Sequence, residues 1–149
     1  MTLPADTAMP RSAECTCLRV RKLARRVTQI YDWHLAPTGL TITQYSLLGH
    51  VRVFDGISIG ALAEKLITDP TTLTRNLRPL RRQGLLRLEA DANDRRARRL
   101  RLTEAGRESF RAARPAWAAA QRELAGLIGE EDAMALNATL DRMLDRLAP

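Results

Sequence analysis

Residues 58–84 read SIGALAEKLITDPTTLTRNLRPLRRQG and carry the signals of two short helices joined by a tight turn. Ser58 supplies an N-cap for the first helix, because its hydroxyl accepts a backbone N–H that would otherwise be unbonded. Asp69 followed by Pro70 is a strong start for the second helix, which ends at Gly84. The apolar positions of the first helix recur at helical spacing and are Ile59, Leu62, Ala63 and Leu66. Two helices at this separation are typical of a helix-turn-helix.

The second helix, residues 69–83, has two faces of different chemistry when each residue advances by about 100°. One face carries three leucines and predicts packing against the preceding helix. The opposite face and its flanks carry Thr71, Thr72, Thr74, Arg75, Arg78 and Arg82. Arginine pairs with guanine through two hydrogen bonds, and threonine contacts a thymine methyl group or a phosphate. We therefore predict a DNA-reading helix rather than an ordinary surface helix, with some bending near Pro79.

After this helix, leucine alternates with charged residues over 86–89 and again over 99–102, with a polar stretch between them. This period of two predicts a small antiparallel hairpin, a wing, with leucines toward the core and arginines outside. The residues at its tip and just beyond are Asp94, Arg95, Arg96 and Arg98. An arginine at a hairpin tip can enter a DNA minor groove, and Asp94 can hold a neighbouring guanidinium. A solvated loop with a local ion pair is the alternative interpretation.

The distribution of charge points in the same direction. The chain has 149 residues with 24 basic and 17 acidic side chains, and its formal charge is +7. Residues 70–107 alone contain eleven arginines and four acids, so this segment accounts for the whole imbalance. Concentrated arginine favours a polyanionic partner, most simply nucleic acid. A solvated charge run is the alternative, but such runs usually mix both signs along a helix.

Helices are also predicted on both sides of this module. Apolar residues repeat at helical spacing over 15–36, and Thr41 begins a capping box for the next helix. Thr103 starts a long helix in which Pro115 predicts a kink or a break. Gly129 separates that helix from a final one. The predicted fold is mostly α-helical with a small β wing.

We divide the chain into a flexible tail (1–13), a winged helix-turn-helix DNA-binding domain (41–103) and a helical dimerisation region (14–40 and 104–147). The apolar stripes of the terminal helices exceed what a winged module of roughly 90 residues can bury, so we predict a homodimer. Two-fold symmetry then requires a palindromic site in double-stranded DNA, with half-sites about one helical turn apart.

Several other classes of protein are excluded by the sequence. No apolar run approaches the roughly 18 residues of a membrane span, and the first residues lack a secretory signal, so we predict a cytoplasmic protein without membrane contact. A metal site at Cys15 and Cys17 lacks further ligands, because His34 and His50 have no ligand-like spacing. Catalytic motifs such as a phosphate loop or a nucleophile elbow are not visible. We therefore expect no metal, no cofactor and no enzymatic activity.

Several motifs together resemble MarR-type winged helix-turn-helix regulators over about residues 15–147. They are SIGALA at 58–63, TLTR at 72–75, Leu80 with GL at 84–85, DRR at 94–96 and LRLTEAG at 100–106. The resemblance implies a homodimer with interlocking terminal helices, a recognition helix in each major groove, and regulation by a small aromatic or phenolic effector or by an oxidant. It also implies that Asp94 and Arg96 lie in the wing, and that the recognition helix contains Thr71, Thr72, Thr74 and Arg75.

Cys17 and Tyr31 have the spacing of the peroxide-sensing OhrR branch, in which a cysteine of the first helix is oxidised. Cys15 is a second candidate thiol. Arg21 stands where that branch has another tyrosine, yet one helical turn from Cys17 it favours the thiolate form. Small residues at a helix start, without a redox role, are the alternative interpretation.

The sequence thus predicts a dimeric, sequence-specific transcription regulator, most simply a repressor that an effector releases from DNA. The alternatives are a thiol-based redox regulator, a nonspecific architectural DNA-binding protein, and a protein–protein adaptor with the same fold. His34 and His50 are each isolated and predict structural histidines, although His34 can instead line an effector pocket.

Overall fold

The computed structural model describes residues 15–94 and 98–148, and these residues form six α-helices, one 3-10 helix and a two-stranded antiparallel sheet. The helices are α1 (Thr16–Leu35), α2 (Ile42–Val53), α3 (Ile59–Lys65), α4 (Pro70–Arg82), α5 (Glu104–Ile128) and α6 (Glu130–Leu147). The strands are β1 (Leu86–Ala90) and β2 (Arg98–Leu102), and the 3-10 helix is Ala36–Thr38. The predicted fold class, mostly helical with a small β wing, is confirmed.

The helix starts are those that the capping residues predict. Thr41 and Gln44 form the predicted capping box, in which each side chain accepts a hydrogen bond from the backbone of the other. Ser58, Asp69 and Thr103 each accept a backbone N–H from three residues further along. Each cap satisfies a donor that the first helical turn leaves unbonded, and so fixes where its helix begins.

One hydrophobic core joins α2, α3, α4 and the wing. The largest fully buried side chains are Leu35, Leu48, Val51, Leu62, Leu73, Leu77, Leu80 and Leu100. The leucine face of α4 therefore packs inward as predicted, and the opposite face is left for solvent. Within the described ranges, none of the helices combines the length and apolar character that crossing a bilayer requires.

The wing is attached to the start of α3. In the hairpin, Leu86 pairs with Leu102 and Leu88 with Leu100. The segment 56–58 adds to β2 through backbone hydrogen bonds, with Leu100 as both donor and acceptor and a bridge between Ser58 and Arg99. Because a two-stranded hairpin alone is marginally stable, this third segment fixes the base of the wing.

Neither internal proline interrupts its helix. α5 runs without a break from Glu104 to Ile128 although Pro115 lies inside it, and α4 likewise continues past Pro79. Of the kink or break predicted at Pro115, the break is wrong, because α5 packs along α1 and α2 and buries Ala113 and Ala120. This tertiary packing offsets the one backbone hydrogen bond that proline removes. A kink at Pro115 and the bending near Pro79 stay predictions.

The turn between α3 and α4 contains a strained residue. Ile67 has φ +50° and is exposed, and Gly84 has φ +71° after α4. Both turns are Schellman motifs, in which two backbone N–H groups return to carbonyl groups of the last helical turn. Glycine normally occupies this position, whereas a β-branched residue rarely does, so the sequence does not predict this conformation.

The terminal helices expose apolar side chains in the single chain. On α1 and α6 these are Leu18, Val20, Leu23, Trp33, Met134, Leu140, Met143, Leu144 and Leu147. The described residues of one chain therefore leave these two helices without a full apolar partner. The predicted flexible tail lies outside the described residues.

Candidate nucleic-acid interface

The exposed face of α4 carries the predicted DNA-contacting residues. Arg75 and Arg78 are exposed, as are Thr71 and Thr74, while Thr72 is half-buried. The Thr72 hydroxyl and the Thr72 backbone N–H, which donates to Asp69 at 2.8 Å, lower the pKa of the Asp69 carboxyl. The Thr74 hydroxyl donates to the Pro70 carbonyl at 2.7 Å, which orients its methyl group. The first turn of α4 is thus held rigidly by its own side chains.

The arginines of α4 keep their charge available. Among residues 15–94 and 98–148, no ion pair involves any arginine of this helix. These arginines are Arg75, Arg78, Arg81 and Arg82. Arg75, Arg78 and Arg82 lie on the face opposite a leucine stripe whose members are at most 1% exposed, and Arg81 lies on the flank. A rigid helix with unpaired guanidinium groups on one face is suited to base edges and phosphates.

The arginines of the wing differ from this pattern. Arg99 pairs with Asp91, and Arg101 pairs with Glu89 at 2.8 Å and also with Asp55. Arg87 also bonds to Glu89, at 2.6 Å. These arginines lie outside the core as predicted, but their charge is largely balanced by the protein's own carboxylates.

Among the wing arginines that the structure describes, Arg98 is the one whose charge is not balanced by a carboxylate of the protein. It is exposed and has no ion pair in the described part of the chain. Arg95 and Arg96 lie outside the described residues. The backbone N–H of Asp94 donates to Asp91 at 3.3 Å. The roles of Asp94, Arg95 and Arg96 in the minor groove stay predictions.

The candidate redox cysteines lie at the start of α1, far from Tyr31 near the end of the same helix. Cys15 and Cys17 are exposed free thiols, and the Cys15 sulfur accepts the backbone N–H of Leu18 at 3.5 Å, so it caps α1. Tyr31 is buried, and burial raises the pKa of its hydroxyl. Fourteen residues of helix place Tyr31 about 21 Å from Cys17, so one chain does not bring them together.

Both histidines have hydrogen-bond partners, as the sequence predicts. His34 on α1 lies 2.7 Å from Glu123 on α5, and Nδ1 of His50 lies 2.8 Å from the Ser46 carbonyl oxygen. Trp33 packs edge-on against His34 but is largely exposed.

A groove lies between α2, in the winged module, and α5, in the terminal region, and the sequence did not predict which residues line it. Its volume is about 790 Å³. Tyr45 and Phe110 stack on its wall with ring centroids 4.6 Å apart, and Trp117 lies 6.1 Å from Tyr45. His50 lines this groove and His34 does not, and a role for His34 in an effector pocket stays a prediction.

The groove is cationic as well as aromatic. The arginines that line it are Arg52, Arg107, Arg111 and Arg114, and no lining residue is acidic. The Arg52 guanidinium lies 5.2 Å from the Phe110 ring centroid. Burial raises the pKa of Tyr45, and the charges of Arg114 and Arg52 act against that rise. The sequence signal was the recurrence of arginine at 107, 111 and 114, which share one face of α5.

Comparisons with known proteins agree with this geometry. A model of the MarR family matches residues 38–97. The chain is 29% identical over 116 residues to the transcriptional regulator HosA of Escherichia coli, covering 74% of this chain and 86% of that protein.

Two similar solved structures contain DNA. The M. tuberculosis transcriptional regulator MosR in complex with DNA is 36% identical, with a TM-score of 0.71, over 87% of this chain and 98% of that one. The transcriptional repressor CouR bound to a 23-mer DNA duplex has the same fold, at 24% identity and a TM-score of 0.81, over 96% and 99%. Because the family model matches the winged module and MosR is similar over nearly its whole length, this chain belongs to the MarR family of DNA-binding transcription regulators.

Proposed function

We propose that this regulator is a homodimeric repressor that binds a palindromic DNA site and is released by a small aromatic effector. α4 enters the major groove, and the wing contacts the adjacent minor groove. The observation that carries this proposal is the α4 surface, where Arg75, Arg78 and Arg82, without ion pairs among the described residues, lie opposite a fully buried leucine stripe. MosR, a 36% identical relative, has been solved in complex with DNA, which supports DNA as the partner.

Charge and apolar surface support the homodimer. α1 carries five basic residues and one acid, whereas α6 carries five acids and two basic residues. Both helices also expose apolar side chains. A second copy of the chain offers each of these faces a partner of opposite charge and matching apolar character. The predicted dimerisation region, 14–40 and 104–147, contains both helices.

Arg75→Ala is expected to weaken specific binding by about 1–3 kcal/mol and to relax base preference at one position of each half-site. The reason is that Arg75 is exposed near the start of α4, where a guanidinium reaches a guanine edge. Binding to a duplex selected by the wild-type protein from a random pool, and to single-base variants of it, is measured by fluorescence anisotropy.

Arg81→Ala is the matched control, because it removes the same charge from the same helix on its flank. It is expected to weaken binding to all duplexes alike. Unchanged affinity and preference in Arg75→Ala contradict the assignment of α4. Nearly equal wild-type affinity for selected and unrelated duplexes favours the nonspecific architectural alternative, since a regulator discriminates by at least about 10³.

The groove between α2 and α5 fits an aromatic carboxylate. Its stacked rings, Tyr45, Phe110 and Trp117, offer flat apolar surface. Its arginines offer donors for a carboxylate, to which guanidinium bonds strongly. We therefore infer that the effector class is a phenolic or other aromatic acid.

Arg114→Ala is expected to raise by about tenfold the concentration of 4-hydroxybenzoate that releases the protein from DNA, the effect of losing one charge-assisted hydrogen bond. Arg122→Ala is the matched control, since this exposed arginine of α5 does not line the groove. Release is followed by anisotropy at fixed salt. Equal release curves for Arg114→Ala and Arg122→Ala contradict the assignment of the groove.

A further inference from the structure

One carboxylate at the end of β1 connects the tip of the wing to both strands. The Oδ1 atom of Asp91 accepts the backbone N–H groups of Asn93 at 2.7 Å and Asp94 at 3.3 Å. Its Oδ2 atom accepts a hydrogen bond from Nε of Arg99 on β2. The Asn93 backbone and the Arg99 guanidinium lower the pKa of Asp91, so this carboxyl is ionised at neutral pH. The first residues of the tip are thereby held in one arrangement.

Arg99 extends this arrangement to the helix-turn-helix. Its Nη1 atom donates to the Gly56 carbonyl at 3.5 Å, and its backbone bridges to Ser58. Ser58 is the N-cap of α3. The chain of contacts therefore runs from Asp91 through Arg99 to the start of the helix that supports α4.

We propose that Asp91 is a positioning residue for DNA binding: it sets the direction in which the wing leaves the helix-turn-helix, so that Arg98 and α4 reach one duplex together. The segment 56–58 fixes the base of the wing, and the Asp91–Arg99 contacts extend this restraint to the tip, which backbone pairing at the base does not reach. The inference rests on the proposed contact of α4 and the wing with DNA. Asp91 itself carries a negative charge and need not touch the duplex.

Asp91→Asn tests this role, because the positioning role and the change of charge predict opposite changes in DNA affinity. Asparagine keeps an acceptor oxygen for the backbone N–H groups but loses the anionic partner of Arg99. The substitution raises the net charge by one, which by itself tightens binding to DNA. The positioning role instead predicts about tenfold weaker binding to the selected duplex, as expected from the loss of one charge-assisted bond.

Two further readouts separate positioning from stability and from charge. The midpoint of thermal unfolding of Asp91→Asn is expected to stay near that of the wild type. The slope of the logarithm of the binding constant against the logarithm of the salt concentration is expected to decrease by about the value of one phosphate contact. Glu108→Gln is the control, because it makes the same charge change at an exposed pair on α5. It is expected to bind as tightly as the wild type or more tightly.

Arg99 offers a second pair of variants. Arg99→Met removes the partner of Asp91 and is expected to weaken binding, whereas Arg99→Lys keeps a cation and retains most of the affinity. If Arg75→Ala weakens binding while Asp91→Asn and Arg99→Met do not, the positioning role is wrong. If none of these variants, Arg75→Ala included, changes binding, the proposed DNA contact itself is wrong.

Discussion

Gly106→Ala is expected to destabilise the fold by about 3 kcal/mol or more, at the upper end of what overpacking costs. A Cβ atom at position 106 would lie 2.0 Å from the backbone oxygen of Leu85. That carbonyl also accepts the backbone N–H of Thr103, so the segment after α4 and the first turn of α5 are both fixed. Neither backbone can move away without losing the junction between the wing and α5.

Gly126→Ala provides the control within the same helix. Nothing lies within 4 Å of a Cβ at Gly126, and alanine is favoured over glycine inside a helix by up to about 1 kcal/mol. This variant is therefore expected to unfold at a slightly higher urea concentration than the wild type. Circular dichroism in urea measures both variants. A Gly106→Ala protein as stable as Gly126→Ala contradicts the close approach of the two backbones.

Leu144→Glu is expected to convert the protein to a monomer and to weaken DNA binding at least about 100-fold. Leu144 is 53% exposed in the single chain, so glutamate does not disturb the core of one subunit. In a dimer it would place a charge within the apolar stripe formed with Leu140, Met143 and Leu147. A monomer binds one half-site only. It therefore loses the increase in affinity that comes from linking two binding modules, which is typically 10²–10⁴-fold.

Ala138→Glu is the matched control for this prediction. It introduces the same charge into α6, at an exposed position on the side opposite the stripe. It is expected to sediment at twice the 16.7 kDa chain mass and to bind DNA as the wild type does. A Leu144→Glu protein that remains a dimer shows that α6 lies outside the subunit interface.

Local chemistry made much of this fold predictable. Ser58, Asp69 and Thr103 stand at helix starts because an N-cap needs only a short polar side chain and the next three residues. The leucine stripe of α4 and the alternation in the wing follow from periodicity alone. These features, together with the motifs shared with MarR-type regulators, determined the fold class and family before any contact was known.

Contacts between distant segments account for what the sequence did not predict. The uninterrupted path of α5 through Pro115 depends on packing against other helices, and the pairing of Arg101 with Asp55 joins residues 46 positions apart. The sequence did not predict the ion pairs of Arg99 and Arg101, because the carboxylates that pair with these arginines come close to them only in the folded chain. The residues that line the α2–α5 groove likewise come together only when the two helices pack, so the sequence did not predict them.

The uninterrupted α5 has a mechanical consequence. Its 25 residues form a helical rod about 37 Å long that begins two residues after the wing ends and itself ends next to the start of α6. A tilt of about 5° at one end of such a rod displaces the other end by about 3 Å, which is as long as a hydrogen bond. Because the groove opens beside this rod, we infer that an occupant turning it slightly would move the two DNA-reading surfaces of the proposed dimer out of the spacing of a DNA turn.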